Sequence, residues 1–321
     1  MMPWLTLCSV FPVIVAVNLL FLSVFPQAPQ LQTNKGARVW QQALNPTQGK
    51  AQLLFIYNKR NPNELFGNFY YTLGIQLAAR GQIGAAENLL AKAAALLPDK
   101  SQVHMNYGIV LEALQKNNEA MAQYKDALRL DEKNMQIYYN LGLLQDKMGD
   151  TNAGLKNLHK AIEIAPQNTF INYDLGVVYA KKGDFKNSAL YSKKATEGVG
   201  SDFAEAYNNY GYALAQLGRY NEALAAVEKS LQLKPDSAAA LDSKGFALYG
   251  LGRYEEAKKT YQEALKLDPT IGEIYLHLAQ AQEKLNNADQ SAKAYETYIQ
   301  LTPEAPDKAQ IEAKIRQLRK K

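Results

Sequence analysis

Asparagine recurs in this chain at a spacing useful for binding. Asn106 and Asn140 stand 34 residues apart, Asp174 follows after another 34, and Asn209 after 35. A side-chain amide donates and accepts at once, so a row of amides can hold successive peptide units of an extended backbone with little regard for sequence. Residues that perform reactions are sparse by comparison. The three histidines are His104, His159 and His277; no two sit at i, i+4, and none has carboxylates or cysteine at ligand spacing, so no metal centre is expected. Cys8 is the only cysteine, which excludes an intramolecular disulfide and a cysteine-built zinc site. There is no nucleophile elbow, no P-loop, and no GxGxxG after a strand pattern. The expectation is therefore a chain with no catalytic residue, no cofactor and no metal, and not an enzyme.

The elements that position the asparagines follow a single period. A glycine recurs at Gly74, Gly108, Gly142, Gly176, Gly211 and Gly245, with Ala279 next, the step being 34 residues except for 35 between Gly176 and Gly211. Twelve residues beyond each comes a second small residue: Ala86, Ala120, Gly154, Ser188, Ala223, Ala257 and Ser291. Closing prolines stand at Pro98, Pro166, Pro235, Pro269 and Pro303, replaced by Glu132 and Gly200 in the second and fourth copies. Each copy holds two helical patterns; Leu241, Leu248 and Leu251 mark the first in the sixth copy, Tyr261 and the small residues Ala257 and Ala264 the second. Small residues at the crossing let the two backbones approach. Gly149, Gly183, Gly218 and Gly252 fall where the first helix ends, the place of a left-handed cap. Asp99-Lys100-Ser101 and Asp236-Ser237 offer oxygens to cap the next helix.

Seven copies in register resemble the tetratricopeptide repeat family over about three quarters of the chain. The resemblance implies an all-α fold, a right-handed α-solenoid of about seven helix-turn-helix repeats. Their expected bounds are 67–100, 101–134, 135–168, 169–203, 204–237, 238–271 and 272–305. One hairpin cannot bury its apolar face alone, whereas stacked hairpins share a continuous core. Residues 304–321 read as a C-terminal capping helix, with Ile311, Ile315 and Leu318 on one face and Arg316, Arg319, Lys320 and Lys321 towards its end. A basic tail touching anionic lipid is the other use of that end.

In such arrays the first helices line a concave groove. On the family's frame the groove residues here are Tyr71, Asn106, Tyr139, Asn140, Tyr173, Asp174, Asn209, Tyr212, Phe246 and Tyr249. The repeats of the O-linked N-acetylglucosamine transferase family carry an asparagine ladder at the same place, and this chain resembles them in the first-helix pattern only. Tyrosine brings contact area and a hydrogen bond together, which suits an interface. Tyr107, Tyr124, Tyr210 and Tyr261 instead fall at packing positions. The carboxylate clamp that reads acidic chaperone tails is not reproduced, since Tyr71 and Ile75 stand where its lysine and asparagine would be.

Residues 1–25 carry no charged side chain, a run long enough to cross a bilayer as one N-terminal transmembrane helix. An uncleaved anchor fits better than a cleaved signal peptide, because the start lacks lysine and arginine. Residues 26–66 read as a linker, with a possible degenerate capping repeat around Asn45-Pro46. Lys35, Arg38, Lys50, Lys59 and Arg60 follow the apolar run with no acid between Pro26 and Asn63, a slight lean to repeats on the cytoplasmic face. The formal charge is +5 with both signs interspersed, so no nucleic acid is expected. The reading is a membrane-anchored scaffold or adaptor that binds an extended peptide or partner protein in its groove. The alternative is an accessory subunit of a cell-envelope assembly or secretion complex. Oligomeric state is not legible.

Overall fold

The computed structural model describes residues 61–198 and 202–320, which fall into two compact units divided between Leu144 and Gln145. Residues 1–25, the linker and the leading repeat expected near Asn45 lie outside the described residues, apart from the linker's last few positions. Among the described residues there are fifteen helices and no strand.

Unit 1 contains α1 (Pro62–Ala79), α2 (Ile83–Leu96), α3 (Ser101–Ala113), α4 (Asn117–Leu130) and most of α5 (Met135–Lys147). Helix α1 opens ahead of Gly67, inside the expected linker, because Asn61 caps it and Pro62 occupies its first turn. The Asn61 side chain accepts from the Asn63 N–H at 3.1 Å, and a proline in the first turn forfeits no helical hydrogen bond. The core of the unit includes Leu90, Leu111, Tyr124, Ile137 and Leu144, all buried. A Cβ on Gly108 would stand 2.6 Å from the Tyr124 ring, so the buried tyrosine requires that glycine. Most first helices end on glycine with positive φ, but α3 ends on Gln115 at φ 61°, a conformation that costs a side chain energy.

One expected cap is corrected. Ser101 is the first residue of α3 and does not cap it; the capping position belongs to Lys100, which makes no side-chain cap bond. Ser101 Oγ donates instead to the carbonyl of Ala127 at 2.8 Å, tying α3 to α4. Ser237 does cap, accepting from the Ala240 N–H at 3.2 Å.

Unit 2 continues with α6 (Thr151–Ile164), α7 (Thr169–Lys181), α8 (Phe185–Glu197), α9 (Ala204–Gln216) and α10 (Tyr220–Leu233). It ends with α11 (Ala238–Gly250), α12 (Tyr254–Leu267), α13 (Gly272–Lys284), α14 (Ala288–Leu301) and α15 (Lys308–Leu318). Its core repeats the small-against-large packing of unit 1: Gly245 lies against the Tyr261 ring and Gly211 against Val227. The hairpin α7–α8 departs from this. There the large partner is replaced by Ser192, buried with no hydrogen-bond partner for its Oγ, and Ser188 beside it is in the same state. Helix α15 packs Ile311, Ile315 and Leu318 onto Tyr295 and Tyr298, and Lys314 and Arg319 reach Glu283 at 2.8 Å and Glu296 at 2.5 Å.

Candidate functional site

All ten expected groove residues are half-buried. They divide between the units, and each unit sets its own chemistry on the face of its first helices.

In unit 1, Tyr71 on α1 and Asn106 on α3 are joined, the Asn106 amide donating to the Tyr71 hydroxyl at 2.6 Å. One repeat later Asn140 on α5 has Met105 where Asn106 has Tyr71, and methionine offers no comparable acceptor. Asn140 Oδ1 accepts from Gln136 Nε2 at 3.2 Å, while its Nδ2 is buried without a partner. Tyr139 lies beside it on the same helix. Ile109, on the exposed side of α3, keeps much of its surface in solvent.

In unit 2 the tyrosine–asparagine pairing recurs between Tyr173 on α7 and Asn209 on α9. Burial pushes the Tyr173 phenol above its ordinary range, and the Asn209 bond acts the other way. The Tyr173 ring lies 4.7 Å from Phe203, which also meets Phe170 at 6.0 Å between centroids. Phe170 is 65% exposed, unusually high for so large an apolar ring beside two others. A second run of rings crosses three first helices: Tyr212 to Phe246 at 6.5 Å, and Phe246 to His277 at 5.6 Å. His277 Nδ1 meets Asp242 Oδ1 at 2.8 Å. Tyr249 packs edge-on against Tyr254 at 5.2 Å, and burial raises its phenol. Asp174 follows Tyr173 on α7 and is itself engaged.

The amides of Asn106 and Asn209 thus each spend a bond on a tyrosine of the preceding repeat, which the sequence frame did not foresee. Three contributors were also missed. Phe203 precedes α9 and so lies outside the first-helix positions; Phe185, 6.1 Å from Tyr212, sits on a second helix. Asp242 occupies a groove position of the sixth repeat, and its spacing of 35 from His277, the offset of Tyr71 from Asn106, was the available signal.

A separate cluster lies between α6, α7 and α8. His159 Nε2 is 2.7 Å from the Tyr179 hydroxyl, and its Nδ1 is 3.5 Å from that of Tyr191. The two tyrosine rings stack at 5.6 Å, and burial lowers the affinity of His159 for a proton. Among the described residues no three His, Cys, Asp or Glu side chains gather as metal ligands. None of the described helices is long and apolar enough to cross a membrane.

Profiles of the tetratricopeptide repeat match residues 136–168, 202–270 and 244–306, and a TPR-repeat profile matches 110–149. With the hairpin succession and the small-against-large core, the chain belongs to the tetratricopeptide-repeat family. No curated protein matches it. Among solved structures it is similar to a tetratricopeptide repeat protein from Parabacteroides merdae, with TM-score 0.60 and 16% identity over 78% of this chain and 98% of that one. It is similar to PilW, described as a widely conserved type IV pilus biogenesis factor, with TM-score 0.58 and 18% identity over 66% and 97%. YrrB, described as a TPR protein with an unusual peptide-binding site, aligns with TM-score 0.53 and 23% identity over 60% and 97%. At these identities the likeness is one of fold. A scaffold of such repeats fits protein–protein interaction.

Proposed function

We propose that this chain is a non-enzymatic interaction scaffold that holds an extended segment of a partner protein on its first-helix faces. Tyr71, Asn106, Tyr139 and Asn140 serve in unit 1; Tyr173, Asp174, Asn209, Tyr212, Phe246 and Tyr249 serve in unit 2. The observation that carries this reading is the run of half-buried rings from Tyr212 through Phe246 to His277. Rings held by neighbouring repeats and left half open offer area and polar edges together, at little entropic cost because their side chains are already packed. YrrB shares the fold and is described as having a peptide-binding site, a parallel of architecture and not of residues. The apolar run 1–25 is proposed to anchor the chain in a membrane with the repeats on the cytoplasmic face.

A photo-crosslinking residue placed at Phe246, on the first-helix face, and in a second variant at the exposed Leu190 on α8 tests the partner face. Crosslinks to one partner from position 246 and none from 190 are expected. Crosslinks from 190 alone would favour the accessory-subunit reading, with assembly through the second helices. Protease digestion of intact cells, cells with only the outer barrier breached, and lysed cells tests the anchor's orientation. Cleavage only after the inner membrane opens is expected; earlier cleavage overturns it.

A further inference from the structure

On the family's frame the second, fifth, sixth, ninth and twelfth positions of each repeat face the groove. In the repeats from residue 169 on, these carry Asp174 on α7, Glu205 on α9, Asp242 on α11, and Glu273 and Glu283 on α13, and not one lysine or arginine. The chain as a whole has a formal charge of +5, so this face opposes the bulk sign. The lysines of the same helices are placed elsewhere. Lys181 pairs with Asp146 at 2.9 Å, Lys244 faces Glu228 on α10 at 3.5 Å, and Lys284 ends the last turn of α13. Interleaved with the carboxylates are the half-buried rings of Tyr173, Tyr212, Phe246 and Tyr249.

We propose that the partner segment taken by unit 2 is cationic: an extended peptide whose arginine or lysine side chains lie over these rings and reach the carboxylates between them. The inference rests on the partner-face reading above and gives that face its ligand chemistry. A guanidinium over an aromatic face is attracted by the ring quadrupole, and its planar fork matches a carboxylate. An acidic segment would meet like charge. An apolar one would strip water from carboxylates and return nothing for it.

The cations already present agree with this. Glu205 is met by Lys234 at 2.9 Å and Glu283 by Lys314 at 2.8 Å, both lysines reaching over from neighbouring elements. The Glu205–Lys234 pair is exposed and so weak, and an incoming guanidinium can replace that lysine. Glu283 also accepts from the hydroxyl of the buried Tyr295 at 3.1 Å and has its second oxygen left to offer. Asp242 bonds His277, but a carboxylate accepts at two oxygens and is not saturated by one bond. Glu273 is exposed at the start of α13.

The test uses the full chain in neutral detergent and three short fluorescent peptides that differ only in carrying Arg, Gln or Glu at alternate positions. Anisotropy should show the Arg peptide binding best and weakening as salt rises. Asp242→Asn, which keeps a hydrogen-bonding amide for His277, and Glu273→Gln should each weaken it about two- to fivefold. Phe246→Ala should weaken it further, with helicity by circular dichroism unchanged in all three variants. Equal binding of the Gln peptide, lost with Phe246→Ala, would leave the partner face standing and overturn its cation preference. Arg-peptide binding that ignores both carboxylate variants would overturn it too. If no peptide binds and position 246 gives no crosslink, both readings fall.

Discussion

In unit 1 the first-helix face sets the amides of Asn106 and Asn140 among the rings of Tyr71 and Tyr139, with Asn106 tied to Tyr71 and Asn140 accepting from Gln136. In unit 2 the tyrosine–asparagine pair recurs once, in Tyr173 and Asn209. The further positions add a longer run of rings with carboxylates, Phe246 lying between Tyr212 and His277 and Asp242 bonded to the imidazole. The hairpin is the same in both, and so is the rule that a glycine on the first helix receives a large side chain from the second. The groove side chains lean on that core, Tyr71, Phe246 and Tyr249 packing against it, but their outer edges stay open and can differ. Packing sets which residues must be small; it leaves the open side free to take the chemistry of a ligand. The core, too, varies between hairpins, and four experiments use that variation.

The largest effect is expected where the small-against-large rule is strongest. Tyr124 in unit 1 and Tyr261 in unit 2 are almost fully buried, and truncating a large buried aromatic costs about 3–5 kcal/mol. Tyr124→Ala should raise amide exchange chiefly in α3 and α4, and Tyr261→Ala in α11 and α12. Uniform exchange across the chain from either variant would break the separation of units.

Hairpin α7–α8 inverts the rule, and the inverse substitution should help it. Ser192 Oγ is buried without a partner, a state that costs about 1–3 kcal/mol. Ser192→Ala should stabilise unit 2 by roughly 1 kcal/mol, seen as slower exchange in α7 and α8. A destabilised variant would mean that the hydroxyl has a partner after all. Gln115→Gly addresses the matching irregularity in unit 1. Gln115 holds φ 61°, as Asn286 does φ 60° after α13, where Gly81, Gly149, Gly183, Gly218 and Gly252 serve the other first helices. Relief of that conformation should add about 0.5–1 kcal/mol, visible as a higher denaturation midpoint with unchanged slope.

These cases show what the sequence made legible. Small residues such as Gly108 and closing prolines such as Pro98 recur at fixed offsets in most copies because they solve local problems the repeats share, so the succession of helices was readable from period alone. The face was readable only as a set of positions. That Asn106 would bond Tyr71, and Asn209 Tyr173, depends on the distance between adjacent hairpins, which no single repeat encodes. Phe203 entered the site from a connection outside the period, where the extra residue of the fourth repeat falls. Ser101 was misassigned as a cap because a hydroxyl near a helix start can bond its own turn or the carbonyl of another helix. Only the packed structure decides between them.

The smallest expected effect is an acid sensitivity confined to unit 2. His159 is packed between Tyr179 and Tyr191, with Glu163 favouring its charged form and Lys194 opposing it. Burial is the largest influence and holds its proton affinity below the ordinary histidine value, about 6.5. As pH falls through that value the unfolded chain takes up a proton before the folded one does, so folding stability declines. The linked contribution is therefore present above about pH 6.5 and shrinks below it, until the folded histidine is protonated as well. Protection of α6, α7 and α8, corrected for the intrinsic slowing of amide exchange in acid, should fall across that window in the native chain, and the effect should vanish in His159→Gln, which cannot titrate. An equal acid response in His159→Gln would move the sensitivity to some other group.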